Sequence, residues 1–405
     1  MIQHVQQWLL PLHADMVAWR RHLHQHPELS FQERATAAFI ADRLRAEGIA
    51  VRTDVARLTP DAPGTGVIGI VRGERATSDR CFALRADTDA LPILEEGKPG
   101  YCSTVPGVMH ACGHDAHTAM VLGAGIALHR NRALWSGTVM LVFQPGEEKE
   151  PGGASLLVNE GALRDPAPSG ILGQHVTPEL PVGMLGFRSG AFMAAADELY
   201  LTVKGRGGHA AQRHKLKMVD PLLIAARLLP ELYEEAQRAV PSGEPMVLSF
   251  GKLIANGATN IVPDTATIEG TLRTFNEELR AQLHALLPRI SAEVARSMGG
   301  EVDFRLVKGS PVVKNDPALT ARMRAVAVEL VGADKVVDMD IRMGAEDFAY
   351  YTHVMPGCFF RLGTGNPAKP GTQSGLHRAE FDIDEDALAL GAAMMMAGAL
   401  AELAG

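Results

Sequence analysis

Apolar positions three and four apart, Met16, Trp19 and Leu23 and then Ala37, Ile40 and Leu44, predict helix through residues 12–48. The spacing then changes. The runs GVIGIVRG (66–73), RCFALRAD (80–87), GTVMLVFQP (137–145) and GILGQHV (170–176) read as buried strands, separated by helical stretches at 115–130 and SLLVNEGAL. Strands alternating with helices predict an α/β layer around a mostly parallel central sheet flanked by helices. At DELYLTVKG (197–205) the pattern switches to period two, as in a half-exposed strand. A helix (219–237), two antiparallel-looking strands (245–255 and 265–274), a helix (277–298) and the strand EVDFRLVK (301–308) follow. That βαββαβ order is the one a small ferredoxin-like module uses. After Pro311 the α/β texture returns, with the helix ALTARMRAVAVELVG, the strand CFFRLG and a closing helix at 385–403. The expectation is an α/β domain built from 1–189 and 309–405, with a ferredoxin-like domain, 190–308, inserted into it.

Composition narrows the partners more than the fold. The net charge of −8 over 405 residues argues against nucleic acid, and no basic cluster opposes that reading. Residues 190–308 carry 14 Lys/Arg and 14 Asp/Glu, so the whole excess of acid lies in the flanking segments. The start, MIQHVQQWLLPLHADM, reads as an amphipathic helix rather than a signal peptide. No stretch is expected to reach the roughly 18 apolar residues of a membrane span. Four cysteines, Cys81, Cys102, Cys112 and Cys358, suggest no disulfide framework, which points to a reducing cytoplasm.

In open α/β sheets, sites form at the carboxyl ends of strands. Several polar groups fall there: Asp87 in RADTDALP, His110, Cys112, His114 and Asp115 before the 115–130 helix, Glu147-Glu148 in QPGEEKEPGG, and His175 in GILGQHV. His377 lies in a loop far downstream, in SGLHRAEF. Each has an ordinary reading: a hydrogen-bonded loop histidine, a solvated glutamate corner, a small buried cysteine, an aspartate capping a helix. Together they read as a metal site. Gly113 lets the backbone turn between a thiolate and an imidazole, and the following helix N-terminus is expected to favour the thiolate. Cys112, His114, Glu148, His175 and His377 make five candidate ligands, more than the three of a single catalytic zinc. Two divalent ions bridged by one ligand and a water suit that count. One of Glu147 and Glu148 would bind metal while the other serves as general base, and spacing does not say which. VKGRGGHAA (203–211) is a glycine-rich turn that no helix follows at once, which disfavours a dinucleotide site; its glycines either bring the backbone close to a ligand and present His209 or form a plain hairpin-like loop.

With these residues laid out, the chain resembles the di-metal aminoacylase/carboxypeptidase family, in the amidohydrolase branch that holds hippurate hydrolase and auxin–amino acid conjugate hydrolases. Ten motifs in order carry the resemblance: RRHLHQHPELSFQE, LRADTDALPI, MHACGHDAHTAM, VFQPGEE, GGA, GQHV, VKGRGGHAA, NIVPDTATIEGTLRTF, GAEDFAYY and GLHRAEF. The resemblance implies that Cys112, His114, Glu148, His175 and His377 bind two divalent metals, Cys112 bridging them. The ions expected are zinc first, with manganese, cobalt or nickel as alternatives. It makes Glu147 the general base, Asp87 a carboxylate that orients a ligand, and His209 an oxyanion-stabilising residue reaching into a dimer partner's site. Asn260 and Arg273 would hold the substrate's carboxylate, and the inserted domain would be a lid and dimerisation domain.

The implied activity is hydrolysis of N-acyl amino acids to a carboxylate and a free amino acid, by a homodimer or higher homo-oligomer. The rivals are a dipeptidase or carboxypeptidase of the same family and a non-catalytic metal-binding scaffold. Two departures from the family pattern stand out. Arg85 occupies the position where the wider family has a metal-binding histidine. GGHAAQRHKLKMVDP carries Arg213 in place of a proline and about two extra residues before Val219, so the shape of the Gln212–Met218 loop, and with it substrate choice, does not carry over from the family pattern.

Overall fold

The computed structural model describes residues 4–97 and 100–404. The chain divides into two compact units. One runs up to Phe192 and resumes over Val313–Asp340 and from Asp347 onward; the other comprises Met193–Val312 and Ile341–Glu346.

The first unit is built on an eight-stranded sheet. Its order is Ala50–Val55, Gly66–Arg72, Thr138–Gln144, Cys81–Asp87, Ile171–Pro181, Gly357–Gly365, Leu185–Phe187 and Val336–Asp338. The central four, from Thr138–Gln144 to Gly357–Gly365, run parallel, and antiparallel pairs lie toward both edges. The chain moves outward from Cys81–Asp87 to Thr138–Gln144, then crosses back to Ile171–Pro181 on the other side. This reversal leaves a crevice at the carboxyl ends of those strands.

Both faces of the parallel strands are covered, which is why they read as unbroken apolar runs: all seven residues of Cys81–Asp87 and of Thr138–Gln144 are buried. The His114–Arg130 helix is buried all round from His114 to Leu128, as expected of a helix with no polar face. It packs against His13–Gln25 and the closing helix Ala387–Ala404.

Three expectations need correction. Helix does not run unbroken through 12–48: it forms His13–Gln25 and Arg34–Ala46, and the chain leaves the first at His26 (φ −125°, ψ 55°). Pro27 is the cause, because its ring disfavours helical backbone in the residue before it. The closing helix is eighteen residues long with Glu402 its only charged side chain, so one segment does reach the length and apolarity of a membrane span. Most of it is buried inside the first unit, where a core helix has the same composition. The edge strands Ala50–Val55 and Val336–Asp338, and Leu185–Phe187 next to the latter, had no counterpart in the apolar pattern, being short or half-exposed.

The second unit is a four-stranded antiparallel sheet in the order Met246–Ile254, Thr265–Thr274, Ala195–Lys204, Glu301–Lys308. Helices Pro221–Ala239 and Glu277–Ser297 pack on it, and this is the ferredoxin-like βαββαβ arrangement. Asp220 and Asn276 set the helix starts: each side chain accepts hydrogen bonds from two amides of the first turn. Leu199, Leu201, Ile224, Leu228, Leu272 and Leu283 form its core, each fully buried leucine contributing about 1.5–3 kcal/mol of transfer free energy.

Candidate metal centre

The chain reaches the crevice by four routes. Cys81–Asp87 ends in Asp87; the loop before His114–Arg130 supplies Cys112 and His114; the turn after Thr138–Gln144 supplies Glu147 and Glu148; and Ile171–Pro181 carries His175. His377 comes from the loop beyond Gly357–Gly365, and its amide donates to the Ala111 carbonyl at 2.8 Å, tying that loop to the cysteine loop. Gly113 is required twice over. Its φ is +86°, and a Cβ there would stand 2.3 Å from Val176 Cγ2.

Donor atoms of Cys112, His114 and His175 lie within 4.8 Å of one another, and so do those of Cys112, Glu148 and His377. Cys112 is thus common to two triads. His114, Glu147 and Glu148 form a third such group. Within them, Cys112 Sγ is 3.4 Å from His175 Nε2, and His377 Nε2 is 3.2 Å from Glu148 Oε1.

Hydrogen bonds to backbone fix the rings. His175 Nδ1 lies 2.7 Å from the Val176 carbonyl and His114 Nδ1 2.9 Å from that of Asp89. A carbonyl only accepts, so both Nδ1 atoms donate and the Nε2 atoms are the ones left to face the cluster. His114 Nε2 is buried with nothing at hydrogen-bond distance; Asp87 Oδ2 is 3.7 Å away and Glu148 Oε1 4.0 Å. An orphaned buried nitrogen among sulfur, imidazole and carboxylate groups is what a divalent metal, displacing its proton, would complete.

Electrostatics agree with a missing positive charge. Burial pulls the His114 pKa down, but Asp87, Asp89 and Glu148 outweigh it and bring it up to about 10. Burial, then Arg361 and His117, hold His175 well below the usual histidine range, so it is neutral and free to ligate. The expectation that the helix N-terminus favours the Cys112 thiolate is not met by the protein alone. Burial, Glu148, Glu147 and Asp87 push the thiol well above its ordinary value, and a bound cation would have to reverse that.

Asp87 is not available as a further ligand. Its Oδ1 accepts from His117 Nδ1 at 2.6 Å and its Oδ2 from Arg85 Nη1 at 2.7 Å. His117 is equally committed, since its Nε2 accepts from the Val176 amide at 3.0 Å. Arg85, at the position where the wider family pattern has a ligand, also binds Gln144 and Asp347 at 2.9 Å each. It is a fixed cation behind the crevice rather than a gap in the ligand set.

Asp115 is no N-cap. Gly113 holds that position, and the Asp115 carboxylate takes Arg20 Nε at 2.9 Å and His24 Nδ1 at 2.8 Å. Asp89 was not among the expected site residues, yet it binds His114 through both its carbonyl and Oδ1 and accepts from the Glu148 amide at 3.0 Å. The signal for it was the second acid of RADTDALP.

The three remaining predicted residues lie in the second unit. His209 and Asn260 are exposed neighbours: His209 pairs with Ile261, and the Ala210 amide donates to the Asn260 carbonyl at 2.9 Å. Arg273 is half-buried near the far end of Thr265–Thr274 and donates to the Met343 carbonyl at 2.9 Å. Arg273 lies eight residues beyond Thr265, which at about 3.4 Å each is roughly 27 Å along that strand. One copy of this unit therefore does not bring His209 and Asn260 to Arg273. The Gln212–Met218 loop forms a one-turn helix, Arg213–Leu216, closed by Lys217 at φ 45°, and is exposed through Lys217.

The sequence pattern of peptidase family M20/M25/M40 matches residues 83–401, spanning both triads. The chain belongs to that family. It is a metallo-amidohydrolase. The chain is 36% identical to the N-acetyl-L-cysteine deacetylase of Bacillus subtilis (strain 168), over 94% of this chain and 86% of that one. It is 33% identical to thermostable carboxypeptidase 2 of Saccharolobus solfataricus, over 96% and 94%. Among solved structures, the YxeP protein of Bacillus subtilis, described as a dinuclear metal binding peptidase of the M20 family, superposes with a TM-score of 0.81 at 32% identity, covering 96% of this chain and 98% of that one.

Proposed function

We propose that this M20 hydrolase cleaves the amide bond of N-acyl amino acids, with N-acetyl, N-benzoyl or longer acyl groups, releasing a carboxylate and a free amino acid. The observation that carries the reading is Cys112, whose sulfur belongs to two ligand triads at once, with Glu147 grouped beside them. Cys112, His114, Glu148, His175 and His377 would hold two divalent ions, zinc before manganese, cobalt or nickel. When bound, such ions polarise the amide carbonyl and make water nucleophilic at neutral pH.

The protein's own groups do the rest. Glu147 takes the proton of the attacking water and returns it to the leaving nitrogen, so that an amine rather than an amide anion departs. His209 donates to the oxygen that gains charge as the carbonyl carbon becomes tetrahedral. Asn260 and Arg273 hold the substrate's carboxylate, and Asp87 keeps His117 and Arg85 in place behind the ligands. The separation of His209 and Asn260 from Arg273 supports a homodimer, in which one copy supplies the first two and the other supplies Arg273. Four free cysteines support a reducing, cytoplasmic setting.

The deacetylase relative supports the N-acyl reading, and the carboxypeptidase relative supports a second one, cleavage of peptides. Amine release from N-acetyl, N-benzoyl and longer N-acyl amino acids, measured beside dipeptides and longer peptides, separates them. Higher kcat/KM on the peptides would overturn the N-acyl assignment.

A further inference from the structure

Both loops that carry the acidic part of the site lean on one short segment. It lies between the first two long helices, in the stretch HPELSFQE, residues 26–33. The Ala90 amide donates to the Glu28 carbonyl at 2.8 Å, and Leu29 pairs with Ala90, so the segment lies along the chain just beyond Asp89. Ser30 Oγ then donates to Asp89 Oδ2 at 2.7 Å. That is the oxygen which also takes the Glu148 amide, while Asp89 Oδ1 faces His114 Nδ1 at 3.2 Å.

Three residues on, Glu33 reaches the other loop. Its Oε1 accepts from the Gly146 amide at 2.8 Å and its Oε2 from Thr65 Oγ1 at 2.8 Å. Gly146 immediately precedes Glu147 and Glu148. Between the two contacts Phe31 sits at φ 64°, a conformation costly for an aromatic residue, and its ring fills the space over Gly146, where a Cβ would come within 2.3 Å of Phe31 Cε1. Glu33 itself is fully buried, and the groups that hydrogen-bond its carboxylate are an amide and a hydroxyl, not a cation. A buried carboxyl without a counter-charge is expensive, and a strained aromatic beside it adds to the cost. Neither is needed to pack a turn.

We infer that Ser30, Phe31 and Glu33 are positioning residues that set the spacing between the His114–Asp89 side and the Glu147–Glu148 side of the metal centre. Ser30 acts through Asp89 on His114 and on the Glu148 backbone; Glu33 and Phe31 act through Gly146 on the direction in which Glu147 and Glu148 leave the strand. The inference rests on the reading of Cys112, His114, Glu148, His175 and His377 as ligands.

The test is metal binding, not turnover. Full-length wild type, Ser30→Ala, Glu33→Ala and the conservative Ser30→Thr and Glu33→Gln are stripped with a chelator and titrated with Co²⁺ and Zn²⁺. The Co²⁺ absorption, including the thiolate-to-cobalt band of Cys112, reports ligand geometry. Loss of a partner that orients a ligand typically lowers metal affinity about 10–100-fold. The alanine variants should show that loss with a shifted Co²⁺ spectrum, and the Thr and Gln variants should recover most of it, since a hydroxyl and an amide oxygen remain. Unchanged affinity and spectrum in the alanine variants, even with a lower Tm, would overturn the inference. If the alanine variants do not fold, the conservative pair decides: wild-type spectra support it, and spectra shifted despite a retained hydroxyl and amide oxygen overturn it. Wild type that binds no metal would instead sink the ligand assignment beneath it.

Discussion

The two halves of the proposed machinery are built in opposite ways. In the first unit Cys112, His114 and His175 are buried, their orientations fixed by backbone carbonyls and by Asp87, Asp89 and His117. In the second unit His209 stands exposed on a two-residue ladder and Asn260 just before its other strand, held by little more than neighbouring backbone. The contrast follows from what each half must bind. An ion that replaces its hydration shell with protein atoms needs donors already placed and dry, because any reorganisation subtracts from affinity. Groups that meet substrate must stay reachable, and those that meet a partner's substrate must protrude. Burial therefore marks the Cys112, His114 and His175 side of the centre, whereas Glu148 is half-buried and His377, like His209 and Asn260, stands exposed.

Three experiments press on that contrast. The largest effect belongs to Glu147→Gln, which keeps shape and removes the base: turnover should fall about 10²–10⁴-fold while metal content and Tm stay at wild-type values. Near-normal kcat would remove Glu147 from the role. His209→Ala should cost about 10²–10³-fold in kcat without touching metal content, in keeping with loss of one oxyanion donor. Mixing it with Glu147→Gln sharpens the comparison further, since heterodimers should regain activity if His209 serves the partner's site. Mixtures as inactive as either parent would confine each site to a single copy.

The smallest effect concerns stability. Asp197 is buried in the second unit between Arg280, at 2.7 and 3.0 Å, and His284 at 2.6 Å. Burial alone would raise its pKa, but Arg280 and His284 prevail and hold it below the usual carboxylate range. The unfolded chain, with a carboxyl near about 3.9, then binds a proton that the native protein refuses. This contribution to stability is present above about pH 4 and is lost as pH falls through the native value. Urea unfolding at pH 5 and pH 3.5 should show a smaller pH slope for Asp197→Asn than for wild type; equal slopes would refute the linkage.

Most elements of both units were legible in the sequence, because buried parallel strands leave unbroken apolar runs and the half-exposed strand at 197–205 leaves alternation. What escaped was set by neighbours distant along the chain. Ala50–Val55 is polar enough to pass for a loop and becomes a strand only beside Gly66–Arg72. Asp115 looked like a cap because capping is local; its partner Arg20 lies 95 residues away. The candidate ligands were legible as metal-binding residue types, whereas Asp89, Ser30 and Glu33 sit in the quoted motifs RADTDALP and HPELSFQE without any spacing that says which loop each one steadies.

The shared sulfur of Cys112 has one more consequence. In the proposed assignment Cys112 would serve both ion positions, so what happens to that one thiol bears on both. Blocking that one thiol would empty both positions together, whereas removing His175 or His377 would touch one triad and leave the other its full set of donors.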